Sequence, residues 1–336
     1  MARKGRLVTT NLDVLRPMFQ RGIELPAKMG WESFVTHEKI RADKVEEYRK
    51  FSDGDHDVDL SQEMKDMLRT DSLHLNHCEN ILETLSDRIR LAGIQVNVMS
   101  EAGEPDEGAT ERANRWVETL TARWNRLDGM QIDLHDAIPR DGMSFIMAQY
   151  DNETRQVVWT HEEAFDGHEG VIVVWGNKGN YPTLAIKIWH ETQKGDKSEI
   201  IDNIRFNLYF PDRIEKYIST GGGTLSPHKD DAGDHVYTWS MADGSPIGVA
   251  IVPFVYKGRK YNKHGLGRLE SVLSMQRATN RIINSMVMTS ENIGFPVRFS
   301  FGLDVPAAIK PGTWLKATVP TMKMTADGKT KVPLSP

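Results

Sequence analysis

The chain has 336 residues, 39% of them hydrophobic and 26% charged, which is core material for more than one packed unit and excludes a disordered polypeptide. No apolar run approaches the roughly 18 residues of a membrane-spanning helix, the most apolar stretches being VIVVW at 171 and GVAIVPFVY at 248. The formal net charge is −5, yet residues 1–36 hold six Lys/Arg against three Asp/Glu and residues 294–336 six against two, so basic ends flank an acidic body. That body lacks the basic face of a sequence-specific DNA reader, a count that does not exclude a protein through which DNA merely passes. The opening MARKGRLVTTNL has no apolar run behind its basic residues, which argues against export and for a reducing compartment.

The N-terminal third reads as helical. THEKIRADKVEEYRKF at 36 predicts one helix, and SQEMKDMLRT at 61 another, with Ser61 as its N-cap. DSLHLNHCENILETLSDRIRLAG at 71 predicts a third, its apolar positions Leu75, Cys78, Leu82, Leu85 and Ile89 spaced by three or four and Gly93 as its stop. Cys78, the chain's single cysteine, falls on that stripe and reads as core filler, with burial raising its thiol pKa. PDEGATERANRWVETLTARWNRLDG at 105 predicts a further helix with Ala113, Val117, Leu120, Trp124 and Leu127 on one face and Gly129 as terminator.

From about residue 143 the pattern changes to short β-rich runs. MSFIMAQY, QVVWT, GVIVVW, TLAIKIWHE, NIRFNLYF, RIEKYIS and HVYTWS predict strands separated by Gly, Asn and Asp turns, and STGGGTLSPHKDDAGD at 219 predicts a surface loop. A long helix over 267–293 and strand-like PVRFSFG and TWLKATVP complete the order. Helices, then a sheet, then one long helix and a small β unit indicate an α+β fold.

No catalytic constellation emerges, and no cofactor or metal is expected. GKT at 328 lacks the phosphate-loop glycine, position 323 being Lys323, and HGLGRLE has Glu270 where a dinucleotide fingerprint needs its third glycine. HEEAF at 161 and HETQK at 190 place Phe165 and Lys194 where a zinc site needs a second His. Asp53, Asp55 and Asp57 begin like a calcium loop, but Val58 and Met64 replace its glycine and its glutamate. No GxSxG elbow occurs.

The long helix carries Leu269, Val272, Leu273, Ile282, Ile283, Met286, Val287 and Ile293 as an apolar stripe. Arg268, Glu270, Gln276, Arg277, Asn280, Arg281, Asn284 and Ser285 lie between them. At 1.5 Å rise per residue it would be about 40 Å long, so it must cross the domain or project from it. From pattern alone, a core helix with a solvated back and an interface helix both remain open.

Gly265, Leu269-Glu270, Val272, Gln276, Ala278, Asn280, Met286, Glu291, Phe295-Pro296, Arg298 and Gly302 resemble, without a gap, the signature of portal proteins of siphovirus-type tailed bacteriophages. YRKFSDGDHDVDL at 48, NHCENILETLSDRIRLAGIQV at 76 and RWVETLTARWNRLD at 115, followed by DAIPRDGMSFIMAQYD, resemble the family's N-terminal blocks in order, so the likeness covers roughly residues 40–302. The resemblance implies a non-enzymatic ring, usually of twelve subunits, at one capsid vertex of the virion. It would be assembled in the host cytoplasm, with double-stranded DNA passing its channel.

The implied division is an N-terminal arm (1–36), a wing (helical 37–140, β-rich 143–262), a stem helix (263–293) and the start of a clip (294–336). Arg268, Glu270, Gln276, Arg277, Asn280, Arg281, Asn284 and Glu291 would face neighbouring copies or the channel, and Gly294, Phe295 and Pro296 would end the helix, since proline disfavours helical backbone at the residue before it. Arg298, Lys310, Lys316, Lys323, Lys329 and Lys331 would meet DNA or a clip partner. The partners implied are the terminase motor, a head-completion adaptor, and the major capsid and scaffolding proteins, with no membrane. The family continues into a second stem helix, a tunnel loop and a crown, so sequence beyond Pro336 is expected. A metal-dependent phage nuclease or other head-morphogenesis enzyme using Asp53–Asp59, and a DNA-binding module using the basic ends, are the competing readings.

Overall fold

A computed structural model describes residues 10–20, 30–56, 58, 75–89, 91, 93–100, 103–151, 153–176, 181–194, 200–220, 224–229, 233–241, 243–258, 263–294, 298–301 and 314–317, with backbone alone at 20, 192–194, 200–202 and from 291 onward. The chain divides into two compact units, residues 1–56 with 76–273, and residues 57–75 with 274–336.

The first unit is α+β, and every strand pair within it is antiparallel. Met143–Asp151 (β1) is flanked by Gln156–Glu163 (β2) and, later in the chain, Ile251–Val255 (β9), so Phe145 lies opposite Glu162 on one side and Pro253 on the other. The larger sheet is formed by Gly170–Trp175 (β3), Pro182–Lys194 (β4), Ile200–Tyr209 (β5), Arg213–Thr220 (β6) and Leu225–Pro227 (β7) in spatial order, with Val236–Thr238 (β8) also on β6. The region 219–234, expected as a loop, thus contributes β7. It can pair there because Ser226 and Leu225 align with Ile218 and Ser219.

Both faces of the larger sheet are covered, which is why β3 is apolar at successive positions rather than alternate ones. Ile172, Val174, Ile186, Ile188, Phe206 and Leu208 pack with Leu12, Leu15, Phe34 and Val35. Val171, Val173, Ala185 and Tyr209 turn to the other side and pack with Val45, Met143, Phe145 and Ile251. The helix Trp31–Ser52 serves both cores, since Phe34, Val35 and Ala42 belong to the first and Val45 to the second. Its last turns place Tyr48 and Phe51 in a third cluster with Cys78, Leu82, Leu269 and Leu273. Cys78 is fully buried, and burial pushes its thiol pKa up, as its place on the stripe implied.

The helix breaks fall elsewhere than the glycines suggested. Cys78–Ser86 ends seven residues before Gly93, whose backbone is simply extended; Leu75 and Ile89 are exposed. The helix Glu107–Glu118 widens into a π turn at Thr119–Trp124 and stops at Arg126, which adopts φ 47. Gly129 lies in the first turn of the next helix, Leu127–Asp141, instead of ending the previous one. Asn125 explains the stop: buried, its Nδ2 donates to the Leu120 and Val157 carbonyls while its Oδ1 accepts from Trp159 N–H, trading helix continuity for attachment to β2. The helix expected from Ser61 lies outside the described residues.

Two devices tie the first unit together. Arg49 donates to Asp141 at 2.9 Å, to Asp166 at 2.7 Å and to the Ala164 carbonyl at 3.0 Å, and pairs with Glu163 at 3.0 Å. Arg140 joins the same cluster through Asp141 and Glu163. Burial opposes ionisation of Glu163, but Arg49 and Arg140 win and hold its carboxyl below the usual range. The second device is a close crossing of backbones. Gly142, at φ +83, would place a Cβ 2.8 Å from Gly267 N, and a Cβ on Gly265 or Gly267 would collide with the Gly142 or Arg140 carbonyl oxygen.

Arg49→Met should destabilise the protein by about 3–5 kcal/mol, because it strands buried carboxylates. Glu163 has a lowered folded pKa, so its contribution is complete above its ordinary value of 4.5 and is lost as pH falls through the folded value. Thermal melts from neutral to acid pH should therefore steepen below that point and flatten in Arg49→Met. Gly142→Ala should cost roughly 2 kcal/mol or more from left-handed backbone and overlap together, read by denaturant titration.

Candidate functional site

Within the expected stem, the helix does not run unbroken from 267. Gly265 takes φ +70 and Gly267 an extended conformation, then Arg268–Ser271 forms a short 3-10 turn and Val272 a bend. The α-helix proper is Leu273–Gly294, 22 residues, or about 33 Å at the usual rise. The glycine crossing dictates this, since residues 265–267 must lie flat against residues 140–142 and cannot begin a helix.

Glu270, though exposed, is engaged inside its own unit. It accepts from Lys44 Nζ at 2.6 Å and from the Tyr48 hydroxyl. These hydrogen bonds, Lys44's first, lower the Glu270 pKa, while burial followed by the Glu270 contact raises that of Tyr48. Nearby, Arg41 contacts His264 Nδ1 at 2.9 Å, and burial together with the Arg41 charge pushes His264 down to about 3, so the ring is neutral. Arg268 is half-buried.

Along Leu273–Gly294, Leu273 is buried and Ser274, Arg277 and Arg281 are exposed as hydrophobicity implies, but six positions depart from it. Gln276, Asn280 and Asn284, one turn apart, are 2%, 1% and 0% exposed, whereas Met275, Ile282 and Met286 are 71%, 59% and 65% exposed. The buried amides are bonded. Gln276 Nε2 donates to the Leu75 carbonyl, Asn280 Oδ1 accepts from Leu75 N–H at 3.0 Å, and Asn284 Nδ2 donates to the Asn280 carbonyl at 2.8 Å. Both peptide groups of Leu75 are thus gripped by side chains of one helix, much as a neighbouring strand would grip them, so the amides are satisfied and burial is tolerated.

Gln276, Asn280 and Asn284 are thus buried in hydrogen bonds within their own unit, while Glu270 keeps an exposed side chain. Arg277 and Arg281 are exposed. The outward face is instead a ridge of Met275, Ala278, Ile282 and Met286 at helical spacing. Beside it is a shallow open depression of about 600 Å³, lined among the described residues by Arg281, Ile282, Ser285, Met286, Thr289 and Ser290. Adjacent exposed aliphatic side chains on one helix are a signal for an interface, where scattered ones are not. The helical pattern left the environment of this stripe open, because the backbone partners that Leu75 supplies to the amides lie far away in the sequence.

Gly294 is the helix's last residue. Arg298 lies in strand Arg298–Phe301 (β10), and Lys316 in Trp314–Ala317 (β11). The two strands pair in parallel with Ser300 opposite Lys316. The side chains of Glu291, Arg298 and Lys316, and residues Phe295, Pro296, Lys310, Lys323, Lys329 and Lys331, lie outside the described residues, as do Asp57 and Asp59. Among the described residues no group of three His, Cys, Asp or Glu could hold a metal, and no helix is long and apolar enough to cross a membrane. No family model matches the chain, and no curated protein matches it.

Asn280→Ala should lower stability by about 1 kcal/mol, since the part-buried Leu75 N–H loses its acceptor. Arg281→Glu, on the exposed side, should change it by less than about 0.5 kcal/mol. Paired melts of the two variants check this, and equal effects would contradict the assignment of the two faces.

Proposed function

We propose that the chain is the wing, first stem helix and clip start of a portal subunit, which assembles into a ring, of twelve copies by analogy with the family, at one capsid vertex of a tailed phage. The signature residues from Gly265 to Gly302 support this reading. The structural observation that carries it is the exposed ridge of Met275, Ala278, Ile282 and Met286 on a helix whose amides are already consumed within its own unit. A ring of identical chains needs a heterologous contact, one patch meeting a different patch on the next copy with a rotation that closes. The ridge supplies apolar area for one side of it, and the flanking Arg277 and Arg281 supply charge that fixes register or faces the channel.

The work of such a ring is passive. Duplex DNA must move through it without sticking, and strings of Lys/Arg–phosphate contacts would hold DNA in a tight, salt-sensitive way. A subunit of net charge −5 opposes that adhesion. In this reading the protein is not an enzyme and needs no cofactor. The terminase motor and later the head-completion adaptor dock beyond Gly294, the capsid and scaffolding proteins surround the first unit, and the particle belongs to the virion after assembly in the host cytoplasm.

Light scattering on the purified chain should give a closed oligomer, and Ile282→Lys should shift it toward monomer by at least tenfold in midpoint concentration while leaving the melting temperature nearly unchanged. A chain that stays monomeric at every concentration and salt contradicts the ring. Magnesium-dependent nicking of supercoiled DNA would favour the nuclease instead.

A further inference from the structure

The first unit carries a second groove, which the portal reading does not use. It lies between the end of helix Cys78–Ser86 and the first half of helix Leu127–Asp141, encloses about 320 Å³, and is lined by Ser86, Asp87, Ile89, Asp128, Gln131, Ile132, His135 and Asp136. Ile89 and Ile132 are 48% and 60% exposed, and Asp87, Asp128 and Asp136 are exposed around them. The edge is held in shape by the Leu91 N–H, which donates to Gln131 Oε1 at 2.9 Å. The negative end of Cys78–Ser86 adds to the acidic rim. An apolar floor with three carboxylates around it fits a short segment that carries several cations and a pair of aliphatic side chains.

The chain itself contains such a segment. Arg3, Lys4 and Arg6 are followed at once by Leu7 and Val8, three cations and two aliphatics within six residues. The other basic end spreads Lys310, Lys316, Lys323, Lys329 and Lys331 more widely, and its densest stretch, Lys329 to Leu334, holds two cations against the three of Arg3–Val8. We infer that the groove formed by Asp87, Ile89, Asp128, Ile132 and Asp136 receives the Arg3–Val8 segment of a second copy of this chain. The inference rests on the association of copies proposed above but assigns a different contact: arm to groove rather than helix to helix. It gives the basic N-terminus a role as a strap between neighbours, and leaves no need for it to grip DNA.

Gly5→Cys and Ile132→Cys, made in separate chains and mixed, test it with a short bis-maleimide. The native Cys78 is fully buried and will not compete. A cross-linked product at twice the 38.0 kDa chain mass is expected from the mixture. It should fall at least fivefold when the Ile132→Cys chain also carries Asp87→Lys and Asp136→Lys. A labelled peptide of residues 2–12, followed by anisotropy at low salt, should bind the intact chain and bind the Asp87→Lys/Asp136→Lys variant at least tenfold more weakly.

Closed rings without the cross-link would overturn the strap and leave the portal reading standing. Cross-links and peptide binding in a chain that never closes a ring would support the strap and count against the portal. Linkage within one chain carrying both cysteines at high dilution, or peptide binding indifferent to the aspartate substitutions, would overturn the inference.

Discussion

Leu75 offers an N–H and a carbonyl to the same helix, and Asn280 and Gln276 take them both. Buried amides without partners would cost several kcal/mol each, so this pairing is what permits the polar face of Leu273–Gly294 to turn inward. With that face committed, Met275, Ile282 and Met286 are left on the outside. An amphipathic helix in water normally buries its apolar stripe; this one buries Leu273 and half-buries Ile283 and Val287, yet leaves Met275, Ile282 and Met286 in the open. Association with another surface is the physical remedy for such a helix, and the ring reading follows from that more than from its length.

The first unit is built differently, around ionic and steric fixtures. Arg49 and Arg140 gather Asp141, Glu163 and Asp166 where helices Trp31–Ser52 and Leu127–Asp141 meet the end of β2. Next to it, Gly142, Gly265 and Gly267 let two backbone segments touch. This accounts for features that looked like motifs in the chain. The glycines of HGLGRLE are there for close approach, not for a phosphate, and HEEAF supplies a carboxylate to two arginines and, through His161, a partner at 2.7 Å for the buried Ser144 hydroxyl.

Strands β1 to β6 fall where the short β-rich runs placed them, although β3 is buried at successive positions and β2 holds no fully buried residue. Helix ends were less legible. Arg126 stops a helix because Asn125 is drawn to Leu120, Val157 and Trp159, long-range partners that no local pattern contains. Glycine as a stop signal failed at Gly93 and Gly129 for the same reason, since tertiary contacts decide whether a permissive residue is used. At the candidate site, spacing correctly grouped Gln276, Asn280 and Asn284 on one face and Ile282 with Met286 on another. Which face is covered depends on Leu75, some two hundred residues earlier, and was not readable from the helix. The groove around Ile132 left no trace in periodicity, because Leu127–Asp141 was hidden behind the supposed stop at Gly129.

The account stands or falls on what covers the outward ridge. Methionine oxidation by dilute peroxide, mapped by mass spectrometry, reads this directly, with the fully buried Met143 as an internal reference. In the associated form of the protein Met275 and Met286 should oxidise several-fold more slowly than in the dilute monomer, while Met143 stays protected in both. Equal oxidation of Met275 and Met286 in the two forms would mean that copies meet elsewhere, and the helix would lose its place at the ring's interface.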